Sequence, residues 1–257
     1  MRLRYISLNA DSEINKIDSD FYKRFYYNPS FILDFLSKSV RKYKIETGIY
    51  NMIGITLHPT KEGCNPKIIN NVLEIYIKFT KEDINKFKNL LDHKKRYDSY
   101  LELLERGYHV GINEGHTEIP LKNLLVLHQQ FRNRGYNYEW LWKKKLIREE
   151  DTYLFFNAKY TSFEIRMELS VMDAQKSRIK CSGVIVTLTP WLDFFTKSFR
   201  KLVINSDKIM VYDFVDSPFC SIEMEELKRG KIKVMILDEY LKQTYAQKQE
   251  LIKEITW

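Results

Sequence analysis

The side chains best suited to chemistry are five histidines: His58, His93, His109, His116 and His128. A zinc site on a helix needs two of them four residues apart, and no pair has that spacing. His109 and His116 stand in a glycine-rich run, Gly107–Glu118, with Glu114 and Glu118, which together offer an irregular nitrogen–oxygen set for a metal ion. His128 shares an apolar stripe with Leu121, Leu124, Leu125 and Phe131, a pattern that suits a core residue. A metal-dependent nuclease needs an acidic residue followed by Glu-x-Lys on a strand, so that carboxylates hold Mg²⁺ and the lysine steadies water. Glu74-Ile-Tyr-Ile-Lys78 comes nearest, but its two charges are four apart. Strand alternation puts Glu74, Tyr76 and Lys78 on one face, the pattern of a solvated strand. Nucleophile motifs are missing as well. Ser182-Gly183 lacks the preceding glycine of a G-x-S-x-G elbow, and Cys64, Cys181 and Cys220 form no CxxC pair and adjoin no basic helix start.

A different chemistry is offered by Arg132-Asn-Arg134-Gly-Tyr136-Asn-Tyr138-Glu-Trp140-Leu-Trp142-Lys143-Lys144-Lys145. Arg132, Arg134, Tyr136, Tyr138, Trp142, Lys143, Lys144 and Lys145 are its partner-binding candidates. Aromatic rings with interleaved cations stack bases and neutralise phosphates in single-stranded nucleic acid. The same residue types also anchor protein interfaces. A third reading makes Trp140 core and the lysines a solvated face.

These side chains must be positioned by the elements around them. Arg2–Leu8, Tyr50–Leu57 and Val72–Phe79 read as strands. A helix opens at Asn28-Pro29-Ser30 and runs to Gly48. Thr80 caps a second helix with an acidic first turn, which continues through Leu91 and Leu104 to Gly107. Residues 107–118 read as a loop, Ile119-Pro120 begins a helix closing at Arg132–Gly135, and a short helix is expected around Tyr138–Lys145. Beyond Asp151 the pattern turns to strands: Tyr153–Ala158, Phe163–Met172, Arg178–Leu188, Lys201–Asn205, Lys208–Phe214 and Lys231–Leu237. Asn205-Ser206-Asp207 joins two of these as a hairpin turn, and a helix over Glu239–Ile255 ends the chain. The expected class is α+β. A mixed α/β sub-domain, residues 1–150, packs as one body with an antiparallel β-rich sub-domain, residues 151–257, that ends in a helix.

Gly107-Tyr-His-Val-Gly111, followed by Leu124-Leu125-x2-His128-x2-Phe131-Arg132-x2-Gly135-Tyr136-x3-Trp140-x3-Lys144, resembles segments of bacterial immunity proteins encoded beside interbacterial toxins. The likeness covers about 40 of 257 residues. It implies a cytoplasmic, non-enzymatic protein that binds a cognate toxin and occludes its active site, with no cofactor. Immunity proteins that meet nucleases are commonly acidic, whereas this chain is basic. The implied toxin is therefore acidic, at least locally, or is not a nuclease.

Composition bounds the remaining choices. At 257 residues with 44% hydrophobic and 30% charged side chains, the chain is long enough to bury its own core and is not a disordered tail. Nine glycines, none clustered as GxGxxG or GxxxxGK[ST], exclude the dinucleotide and P-loop phosphate cradles. Net charge is +8, spread as 12 basic against 8 acidic residues over 1–80, 14 against 11 over 81–150, and 16 against 15 over 151–257. That diffuse excess suits solubility as well as nucleic-acid binding, which stays the alternative through segment 132–145. Three sparse cysteines suit a reducing cytoplasm, and the first residues show neither an apolar signal core nor a membrane span.

Overall fold

A computed structural model describes residues 1–65, 68–175, 178–188 and 199–237 of the chain. It divides into two compact units, the first Met1–Tyr138 and the second beginning at Glu139. Helices are concentrated in the first unit and antiparallel sheets in the second, so the protein is α+β.

The first unit is built as β1 (Tyr5–Ala10), α1 (Ser12–Ile17), α2 (Ser19–Tyr27), α3 (Ser30–Tyr43), β2 (Met52–His58), β3 (Gly63–Cys64), β4 (Val72–Lys78), α4 (Lys81–Lys88), α5 (His93–Asn113) and α6 (Leu121–Asn133). Its sheet has the order β1-β2-β4-β3, with β1, β2 and β4 parallel and β3 antiparallel to β4. Register aligns the apolar positions in rows: Ile6 beside Ile53 and Leu73, Leu8 beside Ile55 and Ile75. All six are buried, while Ser7, Glu74 and Tyr76 of opposite parity are half-buried. Thr80 caps α4 as its sequence suggests: its hydroxyl accepts from Asp83 N–H, and Asp83 accepts from Thr80 N–H at 2.8 Å.

Several boundaries differ from the sequence reading. The helix expected from Thr80 to Gly107 breaks after Asn89, and Asp92 caps a new one by accepting from Lys95 N–H at 2.9 Å. Leu91, counted as apolar face, lies in that break and is 87% exposed. Helix α3 ends at Lys44 in the left-handed region, before Gly48. Helices α1 and α2, unanticipated in a charge-rich stretch, each start at an aspartate, Asp11 and Asp18, that accepts a backbone N–H.

The run 107–118 is not a loop at its start, because α5 continues to Asn113. Gly107 and Gly111 sit inside the helix where it meets the sheet. A Cβ on Gly107 would lie 2.5 Å from Ile55 Cδ1, and one on Gly111 2.9 Å from Ile75 Cδ1. Glycine weakens a helix interior by about 1 kcal/mol, which the close approach of helix to sheet offsets. Gly107→Ala should therefore destabilise the protein by about 1–3 kcal/mol despite its better helix propensity. Urea unfolding checks this: a variant as stable as the parent would mean Ile55 moves aside freely.

In the second unit, β5 (Tyr138–Ile147, its first residue belonging to the first unit), β6 (Thr152–Tyr160), β7 (Ile165–Asp173) and β8 (Ile179–Leu188) form one sheet in chain order. A second sheet has the order β12-β11-β10-β9, from β9 (Lys201–Ile204), β10 (Lys208–Tyr212), β11 (Pro218–Glu223) and β12 (Val234–Ile236). Every pair in this second sheet is antiparallel. The turn Asn205–Asp207 joins β9 to β10, with Asn205 N–H donating to Lys208 O at 2.9 Å. Strand β11 was not expected, and the helix predicted over Glu239–Ile255 lies outside the described residues. The short helix predicted around Tyr138–Lys145 is instead β5. Tyr138, Trp140 and Trp142 recur every second residue, a strand period carried by strand-favouring rings.

Candidate partner-binding strand

The basic aromatic segment is divided between the two units. Its first half belongs to the first unit and its second half to the second. Arg132, half-buried on α6, donates from Nε to Asp98 Oδ1 at 2.7 Å. Arg134 is exposed and lies over the Phe35 ring at 5.5 Å. Tyr136 and Tyr138, 9% and 5% exposed, face inward. Tyr136 packs edge-on to Phe131 at 5.7 Å, and Tyr138 edge-on to Phe35 at the same distance. Burial, then a hydrogen bond to Asp98, pushes the Tyr136 phenol up to about 12. These two rings are core, a correction to their expected place in a binding surface. A stretch of alternating rings and cations does not reveal which rings turn inward.

The second half behaves differently. Trp142 is half-buried, edge-on to Phe156 at 6.0 Å and to Phe199 at 5.6 Å, so it anchors β5 to the unit's interior. Lys143, Lys144 and Lys145 are exposed, and none forms an ion pair with a carboxylate among the described residues. Lys144 Nζ sits 4.0 Å from the Tyr153 ring centre and 5.0 Å from that of Phe155. Tyr153 and Phe155 occupy the half-buried face of β6, opposite to buried Phe156. Trp142 and Lys144 thus contact rings on opposite faces of β6 although they are two residues apart. Leu141 and Leu146 flank the lysines at 50% and 42% exposure. Strand β5 pairs with β6 alone, and among the described residues no strand covers its outer edge.

The chain matches no protein-family model, no curated protein and no solved structure. The chemistry therefore has to be judged on geometry.

Among the described residues no three His, Cys, Asp or Glu side chains gather as a metal-binding group. His109 is exposed on α5, while His116, past that helix, approaches Glu118 at 3.3 Å through Nδ1. Glu74 accepts from Asn65 Nδ2 at 3.2 Å and from the Tyr76 hydroxyl, and Lys78 is exposed at the strand end. Burial first pushes the Cys64 thiol up to about 11 and the Cys220 thiol to about 12, which disfavours the nucleophilic thiolate in both. His58, one of the five histidines, is 5% exposed at the end of β2. Its Nδ1 accepts from the backbone N–H groups of Thr60 and Lys61 at 3.2 and 3.0 Å, which fixes the turn after the strand and places the ring proton on Nε2. No helix among the described residues is long and apolar enough to cross a membrane, which says nothing of a β-barrel.

Proposed function

We propose that this protein binds a protein partner of acidic surface along β5, as an immunity-type protein that neutralises a cognate toxin in the cytoplasm and carries out no chemistry itself. The observation that carries the reading is the triplet Lys143-Lys144-Lys145, exposed and, among the described residues, without carboxylate partners on a strand whose outer edge no strand covers. An open edge presents backbone donors and acceptors to an extended segment of another chain. Unneutralised lysines on that strand accelerate encounter with an acidic surface. Leu141 and Leu146 add apolar area beside the charges, and Trp142, fixed by Phe156 and Phe199, keeps the strand in place.

The test uses the purified product of the adjacent reading frame. Reversing all three charges, K143E/K144E/K145E, should slow association about tenfold or more at low salt while changing the off-rate less. An on-rate indifferent to both salt and the reversal would remove β5 as the binding face.

A second reading has its own supporting observation: Tyr153 and Phe155 lie side by side, ring centres 6.0 Å apart, under Lys144 on one sheet face. That pairing of rings with a cation suits single-stranded nucleic acid. Binding to an oligo-dT strand that weakens steeply with salt, and is lost in Y153A/F155A, would favour it over the protein partner.

A further inference from the structure

A cavity of about 390 Å³ opens in the second unit between the β5–β8 sheet and the short helix Met224–Lys228. Leu154, Val171, Met224 and Leu227 give it apolar walls, and Glu150, Thr152, Lys180 and Lys228 line its polar side. Lys180 is brought there by a defect in the sheet. Val171 of β7 pairs with Cys181 and Met172 pairs with Ile179, so Lys180 has no partner across the ladder. Such a bulge re-aims the extra side chain. Here it turns Lys180 toward Thr152, whose hydroxyl oxygen accepts from Lys180 Nζ at 2.8 Å. The Thr152 hydroxyl proton is given to the Glu150 carbonyl at 2.9 Å, so the threonine is fixed as an acceptor.

The two lysines of the cavity are not equivalent. Lys228 pairs with Glu150 at 3.2 Å and Glu225 at 3.7 Å. Lys180 has no carboxylate partner among the described residues, and the hydrogen bond to Thr152 uses one of its three donors. One unneutralised ammonium beside an apolar pocket of this volume calls for a ligand with a single negative charge and an apolar body. We infer that the cavity binds a medium-chain monocarboxylate, its carboxylate on Lys180 and its chain along Leu154, Val171, Met224 and Leu227. This site is separate from the lysine triplet of β5 and does not depend on the partner proposed there.

Calorimetric titration of the full-length protein with octanoate, octan-1-ol and acetate tests it. Octanoate should bind, with acetate and octan-1-ol each at least about tenfold weaker, since one lacks the chain and the other the charge. Lys180→Met should weaken octanoate about tenfold, near 1.4 kcal/mol, and leave octan-1-ol unchanged. Lys180→Arg, which keeps the charge, should retain most of the affinity. Lys180 is exposed, so both variants should melt with the parent protein, and the melts verify this. No octanoate binding at millimolar concentration, equal binding of octanoate and octan-1-ol, or a Lys180→Met variant that binds like the parent would each overturn the inference.

Discussion

Truncating Phe131 to alanine should destabilise the protein by about 4 kcal/mol, a large share of the stability of an ordinary domain. Phe131 is fully buried, with its ring 4.6 Å from Phe35 and 5.7 Å from both Phe31 and Tyr136. Tyr138 touches the same cluster through Phe35, and Lys38 lies over its outer side at 5.0 Å. Tyr138→Ala should therefore act like Phe131→Ala, at about 3 kcal/mol, and any loss of partner binding in it reports unfolding rather than a lost contact. Urea denaturation of the two variants decides this. A cost below about 1 kcal/mol for Phe131→Ala would show that the cluster tolerates a void and does not hold α3 to α6.

The second large effect is a pH dependence centred on His128. The ring is fully buried on α6, neither nitrogen has a hydrogen-bond partner among the described residues, and it faces Tyr108 with ring centres 5.7 Å apart. Burial, with a smaller contribution from Arg132, lowers its pKa from 6.5 to about 4. Between those values the unfolded chain takes up a proton that the folded chain refuses. Stability must therefore fall as pH drops from about 7 to about 4, by about 3 kcal/mol from this group alone. His128→Leu removes the titration and also two buried, unpartnered nitrogens, so it should match or exceed the parent at pH 7. Unfolding free energies of both proteins at several pH values test this. The difference between them should change by about 3 kcal/mol across the window, and a constant difference would place His128 in contact with water or a partner.

The strands that were legible had one face buried and one face polar. Val72–Lys78 alternates without a break because parity alone decides which side chain meets the helices, and β6 and β7 follow the same rule. What the sequence obscured was any residue with two physical uses. Gly107 and Gly111 looked like punctuation but let α5 approach Ile55 and Ile75, and only the packed structure separates those roles. Tyr136 and Tyr138 carry rings as suitable for an interface as for a core. Their burial is set by Phe131, on the preceding helix, and by Phe35, about a hundred residues earlier in the chain. The lysines of β5 were legible as exposed, since long cations rarely enter an interior without a counter-charge. Strand β11 was missed because Pro218 and Cys220 dilute its pattern, and four consecutive buried residues, Phe219–Ile222, do not alternate.

The open edge of β5 also bears on how the protein behaves in a crowd of its own copies. A ten-residue strand whose outer edge is uncovered among the described residues is a template for another strand, and exposed Leu141 and Leu146 would reward self-pairing. Three adjacent lysines oppose it, because two such edges brought together set like charges against each other within the roughly 8 Å over which physiological salt leaves them unscreened. The triplet thus guards against aggregation whatever it recruits, and anything that neutralises it, lysine acetylation included, leaves an adhesive edge.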